Sequence, residues 1–308
     1  MDSLMDKVDR AKPITDICQQ LEVAVRCGQK MKNHTALGVG GEIDAIAYPE
    51  TTEAAAMLVS ELEKNNIPWS ALGRGSRILA KDKAINRIAI SLKLLEEVLL
   101  FKDIENREDK LVQVHGGYQL SKLAIATVDR GFCRLENFAS HLGTVGSAIH
   151  RNEQQGLFMS ALEGFTYVCD GKIKKIENSK LFEKTDLKYP CLILGASLDV
   201  LKIKSAYGQE KYSSTVARLL KKRRDDLLGT WPVFEEKIKG HSVAKLIADA
   251  GLKGFSCGSA MIATHNANFI VNKGNATSTE MLDLIEQVKD KVKKHSGIEL
   301  KLALEVWE

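Results

Sequence analysis

Between Gly251 and Thr277 the chain concentrates glycines and asparagines, in Gly251-Leu-Lys-Gly-Phe-Ser-Cys-Gly-Ser-Ala260 and His265-Asn-Ala-Asn-Phe-Ile-Val-Asn-Lys-Gly-Asn-Ala-Thr277. Such residues build turns and present amides to one surface instead of packing a core. Downstream of Thr277 the pattern becomes regular. Thr277-Ser-Thr-Glu280 is a capping box, which satisfies orphan N–H groups at a helix start. The predicted helix carries apolar residues at Met281, Leu284, Ile285, Val288 and Val292, ends in Lys293, Lys294 and His295, and stops at Gly297. Ile298, Leu300, Leu302, Leu304 and Val306 then alternate with Glu299, Lys301, Ala303, Glu305 and Trp307, the period of a half-buried strand.

The 308 residues are 44% apolar and 27% charged, ordinary globular material for about two or three domains. A net charge of +4, with cations interspersed among acids, lacks the electrostatic footprint of a nucleic-acid binder. It leaves room for a mildly basic cleft that takes an anionic small molecule. Cys18, Cys27, Cys133, Cys169, Cys191 and Cys257 show no CxxC or other metal spacing, which predicts reduced, mostly buried thiols. The start, Met1-Asp-Ser-Leu-Met-Asp-Lys-Val-Asp-Arg10, is charged, and no apolar run approaches the ~18 residues of a membrane span. The expectation is a cytoplasmic protein with neither signal peptide nor anchor.

Strands are predicted at Ile43 to Tyr48 and Ile67 to Leu72, around a helix from Thr52 to Lys64. The second strand feeds Gly73-Arg-Gly-Ser76. Further strands are expected at Arg87 to Leu92 and Leu111 to His115, separated by a polar excursion from Lys102 to Lys110. Gly116-Gly117 precedes a helix from Ser121 to Arg130. Phe165 to Lys175 reads as a hairpin around Asp170-Gly171, and Leu192 to Val200 as another strand. A helix from Tyr212 to Leu228 carries Lys221-Lys-Arg-Arg224, read as a solvated face, and breaks at Gly229 and Pro232. Alternating strands and helices point to α/β or α+β layers.

Two loops have the composition to bring backbone N–H groups onto a pyrophosphate: Gly73-Arg74-Gly75-Ser76-Arg77 and Gly143-Thr144-Val145-Gly146-Ser147. The first is neither a dinucleotide fingerprint, lacking a third glycine, nor a P-loop, lacking Gly-Lys-Ser/Thr. Taken alone, each is as readily a tight turn. Taken with the Gly251 to Thr277 stretch, they make the chain resemble the UDP-N-acetylenolpyruvoylglucosamine reductase family, flavoenzymes that make UDP-N-acetylmuramate for peptidoglycan. The resemblance covers roughly residues 31 to 308 and includes Asn33-His-Thr-Ala-Leu-Gly-Val-Gly-Gly41, similar to the family's opening segment. It implies an α+β chain: an FAD-binding fold of the vanillyl-alcohol-oxidase type in two α/β subdomains, and a C-terminal α+β substrate domain. The expected divisions are an N-terminal arm over 1–30, the FAD-binding domain over 31–205 with subdomains near 31–100 and 101–205, and the UDP-sugar domain over 206–308. Departures are visible too. Arg77 stands where the family has Asn, Ser140-His-Leu142 replaces Gly-Ile-Pro, and Glu-Gln-Gln comes after Asn152 in place of Ala-Gly-Ala.

In the family, the resemblance implies, NADPH reduces FAD, which passes a hydride to UDP-N-acetylglucosamine enolpyruvate. An Arg and a Glu stabilise the developing negative charge and a Ser supplies a proton. Matching Trp231-Pro-Val-Phe-Glu-Glu-Lys237 and Val243-Ala-Lys-Leu-Ile247 to the family puts Pro232 on the serine. Proline has neither hydroxyl nor N–H. The arginine has no counterpart between Leu181 and Pro190. The glutamate falls on Ala303 without a gap, or on Glu305 two residues on. On the binding side the resemblance implies FAD at Gly73 to Arg77 and at Gly143, Thr144, Gly146 and Ser147, and the UDP-sugar at Lys245, Asn268 and Asn272, with Asn266 beside them. Asn268 and Asn272 also read as caps for turn backbone, as does His265. No metal site is expected.

The expectation is therefore a reductase homologue with lost or strongly impaired turnover. The alternatives are an active reductase using relocated groups such as Ser213, Ser214 or Ser242, and a non-catalytic FAD or UDP-sugar binding protein. The expected partner is a small-molecule UDP-sugar, with no nucleic acid and no membrane, and the chain is expected to be a monomer.

Overall fold

The computed structural model describes residues 4–95, 99–151, 157–177, 190–225, 232–238 and 240–308. The chain opens with α1 (Leu4–Gln20) and β1 (Ala24–Lys30), then β2 (Glu42–Tyr48). In α2 (Thr52–Lys64), the Thr51 hydroxyl accepts the Ala54 N–H, and Ala55, Leu58, Val59 and Leu62 recur at helical spacing and are buried. Next come β3 (Trp69–Ala71), shorter than the expected strand, β4 (Ile78–Ala80) and β5 (Ile85–Ile90). The first glycine loop lies between β3 and β4.

The polar stretch from Lys102 to Lys110 is a hairpin and not an excursion. β6 (Leu99–Ile104) pairs antiparallel with β7 (Arg107–His115), and Asn106, at φ 59°, turns the chain between them. Charged residues on a half-exposed strand hid the pattern, because only alternate positions of β7 need be apolar. The chain continues through α3 (Leu120–Asp129), β8 (Phe132–Cys133), α4 (Val145–Arg151), α5 (Leu157–Ala161), β9 (Leu162–Cys169) and β10 (Lys172–Ile176). Asp170 and Gly171, at φ 52° and 63°, are both left-handed, as a two-residue hairpin turn of this hand requires. β11 (Leu192–Lys202) precedes α6 (Ala206–Asp225), which starts earlier than its apolar pattern suggests. Residues 226–231, with Gly229, lie outside the described residues.

The remainder is β12 (Lys237–Ile238), β13 (His241–Ser242), α7 (Val243–Asp249), β14 (Ser256–Cys257), β15 (Ala260–Ile262), β16 (Ile270–Asn272), α8 (Ser278–Ser296) and β17 (Glu305–Trp307). Both halves of the capping box at Thr277 and Glu280 are formed, and Gly297 ends α8 in the left-handed region at φ 70°. Of the period-two strand expected over Ile298 to Val306, only β17 from Glu305 is regular strand, but the face Ile298, Leu300, Leu302 and Leu304 packs on the core as its alternation requires. The alternation ends there: Trp307, expected to face outward, is in the core at 1% exposure. The chain changes pairing partner along this stretch.

Two compact units result. The first holds residues 1–27, 44–73 and 87–223, the second 28–43, 74–86 and 224–308. In the first unit the order β10-β9-β11-β7-β6 forms an antiparallel sheet with β8 on the end of β11, and most of the β1-β2-β5-β3 sheet also belongs here. One core cluster packs α3, α4 and the helix Glu136–Ser140 region against the first sheet through Phe138, Phe158, Ile149 and Leu198. A second packs α2 through Leu58 and Leu62 with Val168, Leu192 and Leu194. The second unit has the β14-β15-β16 meander, the β12-β13 pair and the parallel β17-β4 pair around the apolar face of α8. Each fully buried leucine, isoleucine or valine of that face contributes about 1.5–3 kcal/mol of transfer free energy.

Candidate functional site

The first glycine loop connects β3 to β4. Its conformation depends on Gly75, at φ +62°, where an added Cβ would sit 1.9 Å from the His34 carbonyl oxygen. The Gly75 carbonyl in turn accepts the Ala36 N–H at 3.0 Å, so a backbone bond straps the segment 34–36 to the loop. Among the described residues, the N–H groups of Gly73, Arg74, Gly75 and Ser76 donate to no protein acceptor. Gly73 and Arg74 are exposed. Open N–H groups with arginines at Arg74 and Arg77 are the donor set that a pyrophosphate requires. This part of the chain fits an FAD diphosphate.

The second glycine loop is built differently. Thr144 and Ser147 cap α4 reciprocally: Thr144 N donates to Ser147 Oγ at 2.9 Å and Ser147 N to Thr144 Oγ1 at 3.3 Å. Val145 N donates to the Tyr118 carbonyl at 2.9 Å and Gly146 N to that of Gly116 at 2.7 Å. The N–H groups of residues 144–147 are thus consumed within the protein. The loop's glycines serve close backbone packing instead, since a Cβ on Gly146 would lie 3.0 Å from the Gly116 oxygen and one on Gly116 1.9 Å from the Ile193 oxygen. Within the first unit, a Cβ on Gly73 would lie 3.2 Å from Thr144 Oγ1.

In the second unit, Pro232 is buried at the head of a segment clasped on both sides. It bridges Phe269, Val233 N donates to the Asn268 carbonyl at 2.9 Å, and Ala303 N donates to the Val233 carbonyl at 2.8 Å. Phe234 bridges Leu302, and Glu235 N donates to the Lys301 carbonyl at 2.9 Å. Asn268, 3% exposed, spends its whole amide on Phe234: Oδ1 accepts the Phe234 N–H and Nδ2 donates to the Phe234 carbonyl, each at 3.0 Å. Asn272 Oδ1 accepts the N–H groups of Gly274 and Ala276, while Nδ2 donates to the Leu37 carbonyl at 3.1 Å. The bonds both make are those of backbone caps. Asn266 Oδ1 accepts the Asn268 N–H at 3.0 Å, and His265 packs edge-on against Phe269. Lys245 is exposed in the first turn of α7.

Ala303 and Glu305 separate by partner. Ala303 is bonded to the Pro232 segment, whereas Glu305 N donates to the Arg77 carbonyl at 2.9 Å and Glu305 lies opposite Ile78 in the parallel β17-β4 pair. The carboxylate at 305 therefore starts from the strand paired with the one that leaves the first glycine loop. Trp307 Nε1 donates to Glu305 Oε1 at 2.8 Å, a contact sequence reasoning missed although residues two apart on a strand share a face. Ser213 and Ser214 are exposed on α6 in the first unit, and Ser242 is exposed just before α7. Residues 181–189, where the family's arginine would fall, lie outside the described residues. His150 touches Cys191, with Nδ1 3.7 Å from Sγ. Among the described residues no group of His, Cys, Asp and Glu is arranged to hold a metal, and no helix is long and apolar enough to cross a membrane.

Comparison with known proteins agrees with this layout. The family description "UDP-N-acetylenolpyruvoylglucosamine reductase, C-terminal domain" matches residues 221–307, and "FAD binding domain" matches residues 43–171. The chain is similar to the UDP-N-acetylenolpyruvoylglucosamine reductase of Petrotoga mobilis, at 30% identity over 92% of this chain and 95% of that protein. It is 28% identical to that of Bacillus subtilis over 96% and 98% of the two chains. The crystal structure of the Thermus caldophilus enzyme covers 93% of this chain and 99% of its own, with a TM-score of 0.71 at 25% identity. The architecture is accordingly the α+β FAD-binding fold of the vanillyl-alcohol-oxidase type with the reductase's C-terminal domain. Its two glycine loops, its C-terminal amide-rich turns and its full-length likeness to these enzymes make the chain a member of the UDP-N-acetylenolpyruvoylglucosamine reductase family, FAD-dependent oxidoreductases of peptidoglycan synthesis.

Proposed function

We propose that this chain is a homologue of the peptidoglycan reductase that retains its cofactor and sugar-nucleotide binding surfaces but turns over slowly or not at all. FAD would supply hydride transfer between NADPH and an enolpyruvyl double bond. The N–H groups of residues 73–76, with Arg74 and Arg77, would hold its diphosphate. Gly143, Thr144, Gly146 and Ser147 act beneath, keeping α4 and the turn at Gly116 in place. Lys245 and the turns capped by Asn268 and Asn272 form the surface for the anionic UDP-sugar.

The observation that carries the loss of turnover is Pro232, buried and clasped by Phe269, Asn268 and Ala303 where the resemblance puts the proton-donating serine. No rotamer of proline donates a proton, and a missing positioned acid costs about 10²- to 10⁴-fold in rate. Glu305, beside the strand that leaves the first glycine loop, favours a second reading in which the carboxylate persists and a relocated group protonates the product.

Purified protein titrated with FAD, then mixed with NADPH with and without UDP-N-acetylglucosamine enolpyruvate, separates the two. The proposal expects FAD to bind and to be reduced, with no acceleration of NADPH consumption by the enolpyruvyl compound. Substrate-dependent NADPH oxidation at the pace of an ordinary reductase establishes the second reading, and failure to take up FAD removes both.

A further inference from the structure

Cys169 ends β9 and Cys191 immediately precedes β11. The antiparallel register pairs Val168 with Leu192 and Tyr167 with Ile193, so one further step sets Cys169 directly opposite Cys191. Partners opposite one another in antiparallel strands have Cα atoms about 4.5–5.5 Å apart, inside the ~4.4–6.8 Å range that a disulfide bridges. The two thiols also share a face. Cys169, Cys191 and Ile193 belong to the core cluster over α4, while Val168 and Leu192 belong to the cluster on the other side of the sheet. The third member is His150 in the last turn of α4, with Nδ1 3.7 Å from Cys191 Sγ. Neither cysteine is in a disulfide in this structure, and exposures of 2% and 4% bury both.

We propose that Cys169 and Cys191 are a redox pair that closes to a cross-strand disulfide under hydrogen peroxide, with Cys191 as the attacking thiol and His150 as the acceptor of its proton. Cys191 passes its proton to His150 Nδ1 and its sulfur attacks one peroxide oxygen. The O–O bond breaks, a sulfenic acid forms, and the departing hydroxide takes the proton back from His150 and leaves as water. Cys169 sulfur then displaces the sulfenic oxygen, which departs as a second water carrying the two remaining protons. Two thiols have lost two electrons and two protons, and one peroxide has become two waters. The reaction is slow at neutral pH, because burial raises the Cys191 thiol, with Cys169 adding to the effect, and the thiolate is the nucleophile.

The test is incubation of the full chain, saturated with FAD, with hydrogen peroxide at mildly alkaline pH, followed by non-reducing peptide mapping. The expected result is a peptide linking Cys169 to Cys191, lighter than its two parts by two hydrogens and resolved by dithiothreitol. The Cys169→Ala variant is expected to trap a sulfenic acid at Cys191 with dimedone, and Cys191→Ala to leave Cys169 unmodified. The proposal is overturned if the linkage joins other cysteines, if both thiols survive while Cys27, the exposed one, is oxidised, or if Cys191→Ala leaves Cys169 to form the sulfenic acid.

Discussion

Replacing Asn268 by alanine should unseat the segment that carries Pro232. The side chain accepts from Phe234 N and donates to Phe234 O, each at 3.0 Å, and both residues are buried, at 3% and 1% exposure. Alanine leaves one main-chain donor and one acceptor stranded in the core cluster of the second unit. A buried group left without its partner costs about 1–3 kcal/mol, so two cost about 2–6 kcal/mol before relaxation. Entry of one water in place of the lost amide brings the expectation to about 2–4 kcal/mol. Urea unfolding of the parent and Asn268→Ala measures the loss, and hydrogen exchange at the Phe234 amide localises it. Asn268→Asp should also destabilise, because a carboxylate still accepts from Phe234 N but sets a negative oxygen against the Phe234 carbonyl. A loss below about 1 kcal/mol with Phe234 still protected would refute the clamp. A weakened UDP-sugar complex at unchanged stability would instead make Asn268 a ligand contact.

Gly75→Ala forces a Cβ to within 1.9 Å of the His34 oxygen at φ +62°, and FAD affinity measured by flavin fluorescence should fall about tenfold or more, since left-handed strain alone costs about 1–2 kcal/mol. Pro232→Ser by itself should leave NADPH consumption insensitive to the enolpyruvyl substrate, and a large gain from that single change would show that a cationic partner is already present. Burial pushes the Cys191 thiol from its ordinary value near 9 up to about 11, so its neutral form is favoured by folding. The stability this represents is fully present below pH 9 and lost as pH rises towards 11, with a ceiling of about 2–3 kcal/mol; denaturation midpoints of the parent and Cys191→Ala across that range should converge as pH rises.

Elements whose local chemistry and tertiary role agree were legible in the sequence. The capping box at Thr277, the left-handed stop at Gly297, the Asp170-Gly171 turn and the apolar stripe of α2 each follow from bonds within a few residues. Legibility failed where the fold reassigns partners over long distances. The segment after Gly297 reads as one alternating strand, yet its backbone serves Glu235 and Val233 first and Arg77 afterwards, so the alternation that buries Leu300 and Leu304 gives way to a buried Trp307. No local pattern encodes that exchange. The β6-β7 hairpin was hidden because charged residues on its open face outnumber the apolar ones that face the core. At the candidate site, composition read both glycine loops as places where backbone N–H groups could meet a pyrophosphate, but not that those of residues 144–147 are spent within the protein. That depends on Tyr118 and Gly116, contributed by the turn before α3, and on the mutual cap of Thr144 and Ser147.

The same exchange of partners bears on the choice between Ala303 and Glu305. An ungapped match favours Ala303 because it counts residues, whereas the backbone counts hydrogen bonds. Ala303 is the last residue committed to the Pro232 segment and Glu305 the first committed to the strand from the glycine loop, so the two positions belong to different structural neighbourhoods only two residues apart. A carboxylate at 305, held by the Trp307 indole N–H, keeps its orientation without any help from residue 232. On the proposed reading, loss of the hydroxyl and retention of the acid are therefore separable, and a Glu305→Gln exchange tests the second independently of the first. On the proposed reading it should change neither stability nor FAD affinity by more than about 0.5 kcal/mol, as expected for a half-buried amide that still accepts from Trp307. A larger fall in affinity for the UDP-sugar than for FAD would assign the carboxylate to the substrate.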